Sequence, residues 1–312
     1  MSVRVFFPEG AEPSRIPELL DSGAFLWVDL TGPDEHGLHL LQDVFRFHPL
    51  AIEDTRNQRQ RPKVEDYGHH LFLILNPVHM GSEEPEFREL DVFAGPHCVV
   101  TAHPGEEPAV EEARRRVQAH ARGTPGAVVH ALLDAVVDGY FPLLDAAGET
   151  LEGLEDAVLE TPGPDVLAAL FRLKRTLLEA RRVVAPQRDV LHALLRGDLP
   201  YVSTDEMRYP LRDVYDHLLR ITDMLDTYRD LLTGTLDVYL SAVSNRLNQV
   251  VNRLTAFTVA IGALAVVTGF YGMNFERTWP PFEAPWGVPF ALALMATAVG
   301  GLLWAFRRAG WL

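Results

Sequence analysis

The chain has 312 residues and a formal net charge of −15. That is room for more than one domain and the wrong sign for a nucleic-acid binder. Hydrophobic content of 47% and a mean hydropathy of +0.01 average over two unlike parts: the segment from residue 254 onward carries +1 and the rest −16. So acidic a body attracts cations, although acidity for solubility alone explains the composition equally well.

One cysteine, Cys98, excludes an internal disulfide and fits a reducing compartment. The opening MSVRVFFPEGAEPS has no long apolar core, so no signal peptide is expected.

Residues 1–125 read as a mixed α+β domain. VRVFF (3–7) and AFLWVDL (24–30) have the β-branched and aromatic content of strands. Thr31 is placed to cap a helix over 33–46, and His48-Pro49 opens a short helical piece, PLAIEDT. HHLFLILNPVHM (69–80) and FRELDVFAGPHCVVTAHPG (87–105) read as strands joined by the turn-rich GSEEPE. EEPAVEEARRRVQAHA then reads as a helix. Strands grouped together with helices around them predict an α+β layer arrangement.

His69, His70, His79, His97 and His103 fall in this region, but no pair has a compact zinc-ligand spacing. Exposed or hydrogen-bonded strand histidines are expected instead. With no Walker loop, HExxH or GxSxG either, an enzyme has nothing obvious to work with.

From Gly126 to about residue 209 the pattern is helical. Residues 127–160 form a long amphipathic run interrupted at Pro142, TPGPD (161–165) is a turn, and a second helix over 165–197 contains Pro186. The first helix is acidic and the second basic. An antiparallel hairpin with complementary faces and two independently solvated faces are both open readings.

Between Pro210 and Pro280 there is no proline, and Gly234 is the lone glycine before the apolar run. One helix over 210–271 is therefore predicted, roughly 90 Å long at about 1.5 Å per residue. Val214, Leu218, Ile221, Leu225, Leu232, Leu236, Tyr239, Val243 and Leu247 recur at packing intervals. Asp213, Asp216, Asp223, Asp226, Asp230 and Asp237 make the same stalk acidic, either as a solvated face or as carboxylates whose repulsion bound cations relieve.

Leu254 to Phe275 is 22 residues without Asp, Glu, Lys or Arg, long enough as a helix to cross a bilayer. Ala284–Phe306 is a second uncharged run. The first span is placed at about 254–271, an outer loop at 272–287, the second span at 288–306 and a tail at 307–312. Within the first span, steps of four and three from Val251 give Thr255, Thr258, Gly262, Ala265, Gly269 and Gly272, all small. Such a seam suits close helix packing or a pore wide enough for a hydrated ion. Mg²⁺ keeps several of its waters.

YGMNF at 271–275, closing the first of two hydrophobic runs, resembles the signature of the CorA family of magnesium and cobalt channels. HPLAIEDT (48–55), QRPKVEDY (60–67), RDVYDH (212–217) and LDVYLSAVSN (236–245) extend the resemblance over nearly the whole length.

The resemblance implies a homopentameric funnel in the plasma (inner) membrane, with five long helices lining a pore. Gly272, Met273 and Asn274 match the outer selectivity filter, where Asn amide oxygens meet the waters of a hydrated Mg²⁺. Asn248 matches a polar ring at the inner end, and Val251 and Leu254 match hydrophobic constrictions. Asp54 and Asp213, assisted by Glu53, match a regulatory Mg²⁺ site between subunits that closes the channel. Co²⁺ is a second expected cargo. Entry requires no ATP, since a divalent ion gains about 4.6 kcal/mol per 100 mV of inside-negative potential.

Gly262, Ala263 and Ala265 depart from the family, where bulkier residues, a proline and a threonine are frequent; this moves the expected gate toward Leu254. The loop ERTWPPFEAPWG lacks the usual MPEL but keeps Glu276 and Glu283, and Arg307 and Arg308 stand for a usual lysine cluster. With Arg246 and Arg253 before the first span, both ends are expected in the cytoplasm. Two rivals stand beside this reading: a zinc transporter of the same superfamily, and a non-conducting membrane-anchored coiled-coil scaffold or sensor.

Overall fold

The computed structural model describes residues 2–81, 84–119, 123–273, 279 and 285–311. The chain divides into two compact units, residues 1–157 with 164–234, and residues 158–163 with 235–312.

The first unit is built on a six-stranded sheet of order β1-β2-β8-β7-β4-β3. Its strands are β1 (Ser2–Phe7), β2 (Leu26–Thr31), β3 (Lys63–Asp66), β4 (Leu71–Leu75), β7 (Leu90–Ala94) and β8 (Cys98–His103). β2 and β8 run parallel and every other pair is antiparallel. A separate two-stranded ribbon pairs β5 (Val78–His79) with β6 (Glu86–Phe87).

β2, β4, β7 and β8 lie inside the sheet and are almost wholly buried, so they read as continuous apolar runs. One sheet face packs Val28, Leu30, Phe72, Ile74, Phe93 and Val100 against α1 (Ile16–Asp21), α2 (Glu35–His39) and α3 (Pro49–Asn57). α4 (Pro108–Ala119) packs on α5 (Pro125–Asp138), and α5 also contacts β7 and β8.

Three local expectations are corrected. Asp34, not Thr31, caps α2: its carboxylate accepts the Gly37 N–H at 3.1 Å. The helix then widens into a π-type turn over Leu40–Val44 instead of running regularly to residue 46. The run over 127–160 breaks at Gly139, not at Pro142. Pro142 lies in the first turn of α6 (Tyr140–Glu160), where its missing N–H costs no helix bond.

α7 (Pro164–Leu195) runs through Pro186. One of its cations, Arg181, pairs with Asp226 of α8 (Arg208–Tyr271) rather than with the acids of α6.

The predicted long helix is present as α8, 64 residues, followed by α9 (Gly287–Arg308). Val214, Leu218, Ile221, Leu225, Leu232 and Tyr239 are buried, so the packing seam read from spacing is used as far as residue 239. Beyond it Val243 and Leu247 are exposed.

Three stretches are long and apolar enough to span a membrane. Pro125–Glu160 is 61% buried inside the protein, because Val128, Val129, Leu132 and Leu133 fill the first unit's core. The apolar windows of the helices ending at Tyr271 and Arg308 are only 11% and 6% buried. Apolar surface left open on that scale belongs against lipid or another chain.

Candidate functional site

α3 carries Glu53 and Asp54. Its start is specified by Pro49 at the first helical position and by His48, whose Nδ1 accepts the Leu50 N–H at 3.2 Å. Its end is fixed by Gln58 in a left-handed conformation, φ 44°. Ala51, Ile52 and Thr55 face the core, which leaves Glu53 exposed and Asp54 half-buried at the rim.

Asp54 Oδ2 accepts a hydrogen bond from Lys63 Nζ at 2.7 Å, and the same ammonium lies 2.9 Å from Glu65 Oε1. Burial works against the Lys63 charge, but the bonds to Asp54 and Glu65 outweigh it and raise its pKa. Glu65 is further held by the Tyr67 hydroxyl, which donates to it at 2.8 Å.

Asp213 is exposed on α8. Among the described residues no hydrogen bond or ion pair joins Asp54 or Glu53 to Asp213. Nor do Glu53, Asp54 and Asp213 of one chain come together as a group of three within metal-ligating distance.

One turn beyond Asp213, His217 meets Asp134 and Asp138 of α5 with one ligand atom from each within 4.8 Å of the others. His217 Nδ1 has no hydrogen-bond partner and lies 4.0 Å from Asp138 Oδ1. Arg116 of α4 pairs with Asp134, and with Asp138 at 3.0 Å. This is the only group of three metal-ligating side chains among the described residues. The sequence reading missed it. The available signal was two i,i+4 pairs, Asp134/Asp138 and Asp213/His217, on separate helices.

Four of the five strand histidines are exposed or hydrogen-bonded, as expected; His70 departs from the expectation, since it is buried and neither ring nitrogen has a hydrogen-bond partner among the described residues. His103 Nε2 lies 2.9 Å from Asp29 Oδ1, with both side chains fully buried. His79 Nε2 is 2.8 Å from Glu107. His70 is buried against Phe47 and Tyr67, and burial pushes its pKa down to about 4.

In the second unit the apolar part of α8 has two distinct sides. Ala256 is buried, and Asn252, Ala260, Ala263, Leu264 and Val267 are half-buried along the same stripe. Val251, Thr258, Gly262, Ala265, Gly269 and Gly272 are exposed, and Thr255 is half-buried at the edge. Asn248 and Leu254 are exposed as well.

A Cβ built on Gly262 or Gly269 would meet nothing within 4 Å. The Thr255 and Thr258 hydroxyls each donate to the carbonyl one turn back at 2.8 Å, Val251 O and Leu254 O. Their hydrogens are thus used inside the helix while the oxygen lone pairs stay available.

At the helix end Gly272 N–H bonds Thr268 O at 2.9 Å. A Cβ there would sit 3.1 Å from the same carbonyl, so a larger residue is crowded. Met273 is exposed. Asn274, the third predicted filter residue, lies outside the described residues, as do Glu276 and Glu283.

A family model described as CorA-like Mg²⁺ transporter protein matches residues 22–308. The chain belongs to the CorA family. The cobalt/magnesium transport protein CorA of Thermotoga maritima is 34% identical over 302 residues, covering 94% of this chain and 85% of that one. The complete structure of the CorA magnesium transporter from Methanocaldococcus jannaschii superposes with a TM-score of 0.81 at 26% identity, covering 92% of each chain. A more distant relative, the zinc transport protein ZntB of Pectobacterium carotovorum, is 22% identical over 270 residues, covering 84% of this chain and 82% of its own. The protein is thus a membrane transporter of divalent cations and not an enzyme, and its α+β domain, long helix and C-terminal helix are those of CorA.

Proposed function

We propose that the protein is a homopentameric channel for Mg²⁺, and for Co²⁺ as a second cargo, that lets these ions enter the cell down their electrochemical gradient. The observation that carries this reading is the exposed seam from Val251 to Gly272, on the side of α8 away from the buried Ala256 stripe. Small residues there leave open space. Five copies around an axis would turn that space into a water-filled path, with Val251 and Leu254 as constrictions and Asn248 at the inner mouth. Gly272, Met273 and Asn274 would form the outer filter, recognising the ion through its hydration shell. That suits a hard cation reluctant to lose water.

Two spans of the plasma membrane, α8 from about residue 254 and α9, would leave both termini on one side, and the arginines flanking the spans favour the cytoplasmic side. Arg307 and Arg308 end α9, and the Arg308 guanidinium lies 5.5 Å from the centre of the Trp304 ring, as at an interfacial anchor. Asp54 and Asp213, with Glu53 beside them, would face each other across neighbouring subunits. Empty, they repel; bridged by cytosolic Mg²⁺, they hold the pentamer closed.

The deciding experiment is Mg²⁺ uptake into proteoliposomes by wild type and Asn274→Ala. Flux in the wild type that the substitution alters in rate or ion selectivity supports the channel and its filter. Unchanged flux removes Asn274 from the filter, and no flux in the wild type favours the scaffold. Zinc as the preferred cargo is the second reading, favoured by the kinship with the zinc transport protein; competition among Mg²⁺, Co²⁺, Ni²⁺ and Zn²⁺ in the same vesicles separates the two.

A further inference from the structure

Asp54 is already occupied by a cation, and that cation belongs to the chain. Lys63 Nζ lies 2.7 Å from Asp54 and 2.9 Å from Glu65. Lys63 is fixed on β3 by its register opposite Ile74, and its ammonium rides 5.8 Å above the Phe72 ring. The basic residue of α3 itself, Arg56, is drawn away to Glu35 at 3.4 Å. Side-chain exposures of 31% for Lys63 and 20% for Asp54 leave room for a competing ion to approach from solvent.

We propose that Lys63 is a tethered competitor at the regulatory site: it neutralises Asp54 while the site is empty and so sets the concentration of divalent cation needed to close the channel. The inference rests on the reading of Asp54 as a regulatory ligand. A divalent ion reaching Asp54 must displace the ammonium or bind beside it, and either weakens binding. In return the ammonium relieves the carboxylate repulsion that would otherwise drive subunits apart. Removing Lys63 should therefore tighten closure by Mg²⁺, while the arginine variant keeps a competing charge. Glu65 retains the Tyr67 hydroxyl in the absence of Lys63, and Asp54 retains access to water, so neither carboxylate is stranded.

The test uses the full-length protein in detergent and follows protection from protease as Mg²⁺ is added. Lys63→Met and Lys63→Gln should each lower the midpoint about three- to fivefold, the effect of one partly exposed charge pair. Lys63→Arg should stay within about twofold of wild type. Asp54→Asn should abolish the response. An unchanged or higher midpoint in both neutral variants, with Asp54→Asn still abolishing protection, overturns the role of Lys63 and leaves the regulatory site standing. Protection that is insensitive to Asp54→Asn overturns both.

Discussion

Ala256 and Gly262 sit roughly 120° apart around α8, and their surroundings differ accordingly: Ala256 is 2% exposed, whereas a Cβ on Gly262 would meet nothing within 4 Å. In the proposed channel the two positions would separate folding from conduction. Gly262→Ala should be neutral or favour the helix by up to about 1 kcal/mol. Gly262→Leu should leave assembly intact, as judged by chromatography in detergent, and cut Mg²⁺ flux at least tenfold by filling the pore. Ala256→Leu should instead overpack a closed stripe and cost roughly 1–3 kcal/mol, read as a lower melting temperature. Full flux through Gly262→Leu channels would place the seam against lipid or a neighbouring helix.

The buried pair Glu89 and Asp91 makes a prediction about pH. Both Asp91 oxygens and Glu89 Oε1 lack hydrogen-bond partners, while Glu89 Oε2 accepts the Gln60 N–H at 2.6 Å. Complete burial, reinforced by the Glu89 carboxylate, holds the Asp91 pKa well above its ordinary 3.8. In the unfolded chain Asp91 loses its proton near that ordinary value, whereas in the folded chain it keeps it. Below about pH 4 the residue is protonated in both states and contributes nothing. As pH rises from there toward the folded pKa, stability falls, because the unfolded state binds fewer protons. Asp91→Asn removes this penalty. The melting temperature of the variant should exceed that of wild type by roughly a few degrees at pH 8, and the gain should shrink toward pH 5. A gain independent of pH would mean that the carboxyl is already ionised in the folded protein.

Asp29 shows the opposite sign. Burial opposes the Asp29 charge, but the His103 ring, the Thr101 hydroxyl and Arg4 outweigh it and lower its pKa. Its stabilisation is therefore present above the ordinary carboxylate value and lost as pH falls through the lower, folded one. Asp29→Ala strands a fully buried imidazole and should cost about 3–5 kcal/mol. Asp29→Asn, which keeps a hydrogen-bond partner, should cost less. Equal losses would show that shape, and not pairing, is what the site requires.

Long-range features carried by repetition were legible before the fold was known. The absence of proline between residues 210 and 280 predicted a continuous helix, and α8 ends within one residue of the expected 271. The apolar intervals through Leu232 named side chains that are buried. Features set by a single local contest were not. Lys63–Asp66 is an edge strand with three charges in four residues, so no alternation reveals it. Thr31 and Asp34 are both able to cap, and only the backbone path chooses between them. The Lys63–Asp54 contact and the Asp134, Asp138 and His217 cluster join separate elements, which no spacing within one element can announce. The small residues of the α8 seam were visible as a pattern, and apart from the half-buried Thr255 they are exposed among the described residues.

Charge reversal at Asp213 tests the regulatory reading from the opposite subunit face. Asp213 is exposed and makes no ion pair or hydrogen bond among the described residues, so Asp213→Lys should change the chain's own stability by no more than about 0.5 kcal/mol. In the pentamer the new ammonium would stand opposite Asp54 of a neighbour and attract it without metal. Closure would then no longer require Mg²⁺: protection from protease should become insensitive to Mg²⁺. His217, one turn away, would remain near Asp138, so any residual Mg²⁺ response should disappear in the double variant Asp213→Lys/His217→Ala. A Mg²⁺ midpoint in Asp213→Lys equal to that of wild type would remove Asp213 from the site and leave closure to be explained by residues elsewhere.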